Sequence, residues 1–208
     1  MKRIFLLQVT IVSFLFSLAQ RGEYIRPTSL GISFVLMDYT SAERLRNTSL
    51  TTVIRNKELG KFKEMSPGIA LNYYQGIFEN IDFTGTLAGA FVDIPLQGRN
   101  SGSSDKFLLE ADASAHLKLL SDRYFFTPYL NLGLGASMYD KSFGAFLPLG
   151  LGLKFNFFNE AALHINSQYR VALTEETNAY HFFNSIGIAG IIGKKREPAV
   201  RPVEIPQQ

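Results

Sequence analysis

Between Phe126 and Leu173 the sequence alternates bulky apolar residues with small or polar ones so persistently that only extended strands satisfy the pattern. From Phe126, one face carries Phe126, Pro128, Leu130, Leu132, Leu134, Ala136 and Met138, and the other Thr127, Tyr129, Asn131, Gly133, Gly135, Ser137 and Tyr139. The pattern returns at Ala145, where Ala145, Leu147, Leu149, Leu151, Leu153, Phe155 and Phe157 oppose Phe146, Pro148, Gly150, Gly152, Lys154 and Asn156. A third strand sets Leu163, Ile165, Tyr169, Val171 and Leu173, interrupted by Ser167, against His164, Asn166, Gln168, Arg170 and Ala172. These runs are longer than an ordinary strand of a soluble domain and match what a tilted strand needs to cross a bilayer.

Composition decides which face is inside. A soluble ligand-binding barrel also alternates, but its exterior is dense in Lys and Glu. Here the polar faces carry Gly, Ser, Asn and Thr and the apolar faces Leu and Phe, the arrangement of a membrane barrel. Aromatic residues bunch at strand ends: Tyr124, Phe125, Phe126, Phe155, Phe157 and Phe158 at one rim, and Tyr139, Phe143, Phe146, Tyr180, Phe182 and Phe183 at the other. They read as two interfacial girdles. Absence of Cys excludes a disulfide framework, a thiolate metal site and Cys catalysis. A net charge of +3 without a basic, aromatic-interleaved patch gives no support to nucleic acid as a partner.

Taken in order, Met1 to Ala19 opens on Lys2 and Arg3, continues through an apolar run and closes on Ser17-Leu18-Ala19. This reads as a secretory signal cut between Ala19 and Gln20. A polar periplasmic lead, residues 20–28, precedes the first strand, Ser29 to Tyr39, in which Leu30, Ile32, Phe34 and Leu36 oppose Gly31 and Ser33 while Val35 and Met37 blur the inner face. In the loop Thr40 to Met65, Thr40-Ser41-Ala42-Glu43 has the form of a capping box, and Leu45, Leu50, Val53, Ile54 and Phe62 are spaced to line one side of a short helix. Its six cations, Arg44, Arg46, Arg55, Lys57, Lys61 and Lys63, face Glu43, Glu58 and Glu64. They read as a solvated loop, with a site for lipopolysaccharide phosphates as the alternative.

Strands follow over Ser66 to Tyr74, Ile81 to Pro95 and Lys106 to Leu119, then the three above, and the last from His181 to Gly193. The Gly- and Ser-rich stretch Leu96 to Asp105 is a loop. The expected fold is therefore all-β, an eight-stranded antiparallel up-and-down transmembrane barrel over 29–193. Short turns lie at one end and longer loops at the other, with only the connection at Asp140 to Phe143 short among the latter, the outer-membrane habit. Beyond it, residues 194–208 place Pro198, Pro202 and Pro206 at every fourth position, a stiff periplasmic linker.

The alternation places Glu110, Asp112, His116, Lys154, His164 and Arg170 in the lumen as a polar network, with Arg170 at the depth of Glu110 and Asp112 and expected to pair with them. Lys118, near a rim, is expected to reach water. Ser114, His116, Asp112 and Glu110 share one face of a strand, inviting a hydrolase reading; strand spacing sets them in a row rather than converging on a bond, so no catalytic site is expected. His116, His164 and His181 lack metal-ligand spacing, and the Gly-Leu-Gly segments precede no helix, so neither metal nor cofactor is expected. Lumen glycines instead make room for bulky neighbours.

With its signal, eight strands, polar lumen and Pro-rich exit, and stretches such as Tyr129-Leu130-Asn131-Leu132-Gly133-Leu134-Gly135, the chain resembles the N-terminal barrels of OmpA-family proteins, especially those of Bacteroidetes. The resemblance implies a structural protein of the Gram-negative outer membrane, in contact with lipid and lipopolysaccharide, and tied to peptidoglycan through a domain beyond Gln208. The alternatives are a small channel or ligand-binding, porin-like barrel and, third, a lipid-modifying enzyme.

Overall fold

In the computed structural model, residues 25–92, 106–140, 142–157, 160–174 and 179–192 are described. The signal segment with its Ala19–Gln20 junction, most of the lead, the Leu96 to Asp105 loop, Phe158 and the 194–208 linker lie outside them. The strands are β1 (Ser29–Asp38), β2 (Ser66–Phe78), β3 (Ile81–Val92), β4 (Lys106–Lys118), β5 (Phe126–Tyr139), β6 (Ser142–Phe157), β7 (Ala161–Ala172) and β8 (His181–Ile191). All neighbours are antiparallel, and β1 pairs with β8 from Ser29↔Ile191 to Asp38↔Phe182, closing the sheet. Closure satisfies every strand edge, which a backbone surrounded by hydrocarbon requires.

The barrel runs inside-out relative to a soluble protein. Leu30, Ile32, Phe34, Leu71, Leu134, Leu151 and Ile188 are exposed, while Glu110, Lys154, His181 and Arg170 are buried. Strand boundaries differ from the sequence expectation by a few residues. The largest change is β2, which continues to Phe78 instead of turning at Gln75, with a register irregularity between Gly76 and Phe78 that absorbs the extra length. Only Glu79 and Asn80 then separate it from β3.

The β1–β2 loop contains α1 (Tyr39–Asn47), α2 (Leu50–Arg55) and a 3-10 turn at Phe62–Glu64. The expected capping box is not the cap. Asp38 occupies that position and its carboxylate accepts from the Ser41 N–H at 2.8 Å, because β1 ends one residue earlier and leaves Asp38 extended at the helix start. Of the apolar positions expected to line one helix, Val53 is buried, whereas Leu50, Ile54 and Phe62 are exposed. Arg44 clamps both Glu64 oxygens at 2.6 and 3.1 Å, and this hydrogen bonding holds the Glu64 carboxyl below its ordinary range.

Three residues assigned to the outer girdle belong inside. Tyr139, Phe146 and Phe183 are buried in the lumen, as strand parity demands; nearness to a rim had grouped them with true girdle residues such as Phe143 and Phe182. Val35 and Met37 also point inward, packing with Val92, Leu108, Tyr139 and Phe183 into an apolar cluster beneath the long loops. Their blurred parity records an apolar lumen layer, not a break in the strand.

Candidate functional site in the lumen

Strand β4 passes through every layer of the lumen, and its inward residues name them in sequence. Leu108 belongs to the apolar cluster below the long loops. Glu110 and Asp112 come next, then Ser114, His116 and finally Lys118 at the short-turn end.

Arg170 of β7 spans the lumen to the second layer. Its Nη1 donates to Glu110 Oε2 at 2.5 Å, its Nη2 to Asp112 Oδ2 at 2.8 Å, and its Nε to Gln168 Oε1 at 3.3 Å. The guanidinium also lies 3.6 Å from the centroid of the Phe183 ring and 4.7 Å from that of Phe146. A planar cation suits this place because hydrogen bonds can leave its edge while aromatic rings cover its faces. His181 adds Nε2 at 3.4 Å from Glu110 Oε2 and stacks on Tyr39 at 4.5 Å. Ser114 donates its hydroxyl to Asp112 Oδ1 at 2.9 Å, so it serves the arginine's partner.

The next layer is aromatic. His164 stacks on Tyr74 at 4.3 Å and His116 on Tyr129 at 4.2 Å, with Tyr74 and His116 at 6.0 Å linking the two pairs. Both histidines therefore present ring faces to tyrosines. Between this layer and Arg170 lies a cavity of about 10 Å³, bordered by Asn72, Thr84, Asn131 and Asn166, with room for about one water.

At the short-turn end four charges alternate. Lys118 Nζ contacts Asp82 Oδ1 at 2.6 Å and Asp122 Oδ2 at 2.8 Å, while Lys154 Nζ contacts Asp82 Oδ2 at 3.3 Å and also pairs with Asp122. Lys118 does not reach water: its side chain is 1% exposed, because Asp82 and Asp122 hold it beneath the turn. Burial pushes the Asp122 carboxyl up, but Lys154 and Lys118 more than offset this and hold it below the usual carboxylate range.

From the described end of the lead, which the sequence reads as merely polar, Arg26 enters this mouth. Arg26 is buried, with Nη1 3.3 Å from His164 Nε2 and its guanidinium 5.3 Å from the Tyr74 ring centroid. Its backbone passes so close to Gly76 that a Cβ there would sit 2.7 Å from Arg26 N and O. Parity places Asp82 and Lys118 inside, but Asp122 sits in a turn and Arg26 in a lead, where no period applies.

Glycines make the aromatic layers possible. Gly152 lies opposite Tyr129 and Gly135 opposite Phe146, and a Cβ at either would run into the facing ring. Gly152→Val is expected to cost about 1–3 kcal/mol by overpacking, read as a lower denaturant midpoint, and Tyr129→Ala in the same chain is expected to relieve part of it. Simple addition of the two losses would contradict the contact.

No protein-family model and no curated protein matches this sequence. Solved structures do. Neisserial surface protein A is 15% identical and superposes with a TM-score of 0.51, covering 82% of this chain and 100% of that one. The outer membrane protein OprG from Pseudomonas aeruginosa is 10% identical, with a TM-score of 0.54 over 81% of this chain and 98% of its own. At these identities the likeness is one of fold, and it agrees with the expected eight-stranded transmembrane barrel.

Proposed function

We propose that this chain is a structural barrel of the outer membrane, related in role to the OmpA-type barrels, which stabilises the envelope by occupying the bilayer and performs no reaction. The observation that carries this reading is the lumen itself: an apolar cluster, the Arg170 cluster, stacked His–Tyr pairs, the Lys–Asp quartet and Arg26 occupy it from end to end among the described residues. A channel requires open polar volume, and an enzyme requires its groups at a surface that substrate can reach. Ser114 and His116 face inward, away from lipid, and each is engaged with another partner.

In this reading the first 19 residues direct secretion and are removed after Ala19. Residues 20–28 lie on the periplasmic side, the β1–β2 loop faces outward, and residues 194–208 lead toward peptidoglycan.

The mature chain is expected to fractionate with outer membranes and to migrate differently on gels before and after boiling, since a sheet without edges resists detergent until heated. Identical mobility in both conditions, with recovery from the soluble periplasm, would overturn the proposal. Protease added to intact cells is expected to cut within Gly98–Ser104 and spare the Pro198 segment; the reverse would invert the orientation.

A further inference from the structure

Ser167 breaks the apolar outer face of β7, and nothing in the lumen accounts for it. It pairs across the sheet with Asn184 of β8, and its hydroxyl donates to Asn184 Oδ1 at 2.6 Å on the wall that faces lipid. A polar pair on such a wall is costly unless a partner meets it. Because the Asn184 carbonyl is engaged by Ser167, the amide N–H groups are the donors it presents outward.

Around this pair the wall is indented. Phe34, Leu36, Leu151, Ile165 and Ile186 border a groove of about 660 Å³, in the size range of ligand sites. Phe62 of the β1–β2 loop hangs beside it, 78% exposed. Two residues above Ser167 and Asn184, toward the long loops, Tyr169 pairs with Phe182; Tyr180 adjoins Tyr169, and Arg46 lies 3.9 Å over the Tyr180 ring. This is an interfacial anchor. Asn184 lies three residues into β8, which at about 2.5 Å of vertical rise per tilted residue places it some 7–8 Å below that rim.

Charge selects the occupant. Phe62 is flanked by Lys61 and Lys63, in a loop carrying three more positive than negative charges. Lys61 approaches Glu64 only at 3.9 Å, and Arg44 already occupies both oxygens of that carboxylate. A second copy of the chain would bring the same lysines against these, whereas a lipid phosphate would neutralise them.

We propose that the groove holds one anionic, phosphate-bearing lipid of the leaflet facing the long loops. Its phosphate sits on Lys61 and Lys63, a carbonyl or hydroxyl of its acyl linkage accepts from the Asn184 amide, and a chain lies along Phe34 and Ile186. This rests on the membrane reading above and adds to it a defined lipid site.

Native mass spectrometry of the folded barrel, exchanged with phosphatidylcholine, phosphatidylglycerol or lipid A, tests it. The expected result is one anionic lipid retained per barrel, about tenfold in preference to phosphatidylcholine. Lys61→Gln with Lys63→Gln removes the preference, and Asn184→Leu lowers retention of every lipid. Retention of lipid A alone, or of phosphatidylglycerol as well, supports the site and identifies its source. Equal retention of the three lipids, unchanged retention in both variants, or a lipid-free dimer overturns it. Variants are compared only where the unboiled gel mobility is that of a folded barrel; a wild-type chain that never inserts would instead overturn the membrane reading.

Discussion

Replacing Arg170 by methionine is expected to lower the unfolding free energy of the barrel by about 3–5 kcal/mol, the scale for breaking a buried ion pair. The loss comes less from the arginine's own contacts than from what it leaves behind. Glu110 and Asp112, neighbours on the inward face of β4, would be left side by side with no guanidinium to meet them, and the Phe183 and Phe146 rings would lose the cation they cover. Neutralising both acids in the same chain, with Glu110→Gln and Asp112→Asn, is expected to restore part of the stability, since removing every charge is gentler than stranding two. In a cycle with Glu110→Gln alone, the coupling should lie at about 0.5–3 kcal/mol. Urea titration of the folded barrel in vesicles measures it, and strict additivity would show that Arg170 and Glu110 are neighbours without interaction.

A comparable loss is expected at the other end of the lumen from Asp82→Ala. Asp82 accepts from both Lys118 and Lys154, so its removal leaves two buried ammonium groups sharing Asp122 alone. This cluster also ties stability to acid. The folded-state value of Asp122 is held below the ordinary one by Lys154 and Lys118, after burial has been offset. Its contribution is therefore fully present above the unfolded carboxylate value of about 3.9 and is lost as pH falls through the lower folded value. With Lys118→Met and Lys154→Met together, burial acts unopposed and raises the folded value above the unfolded one, so the variant is expected to lose stability at neutral pH and to lose the acid limb that Asp122 contributes, its curve approaching that of the wild type on acidification. Superimposable acid limbs for wild type and variant would contradict the assigned pairing.

Strand parity made most of this lumen legible. Along β4, alternation alone places Glu110, Asp112, Ser114, His116 and Lys118 inside and Phe107, Ala111, Ala113 and Leu117 outside, and the structure has them there. Depth counting brought Arg170 to the level of Glu110 because antiparallel strands start from a common end. Parity fails where its premise fails. Asp122 and Arg26 contribute to the short-turn end from a turn and a lead, which have no period. Lys118 looked solvated because distance from a strand end says nothing about a turn folding over it. Position alone groups Tyr139, Phe146 and Phe183 with the girdle, whereas parity, the stronger signal, places them inside. Val35 and Met37 were ambiguous because a lumen rule that expects polar residues has no place for an apolar layer.

The proposal of a structural, non-conducting barrel is tested most directly by single-channel recording of the folded barrel in a planar bilayer. Arg170 is bound to Glu110 and Asp112 in one layer, and Lys118 and Lys154 to Asp82 and Asp122 in another, and the proposed role requires that these layers leave no continuous aqueous path. The predicted result is an inserted barrel, verified by its gel mobility, that stays silent across the applied voltage range. Steady, voltage-independent conductance from the same preparation would contradict the structural reading and make this protein a channel.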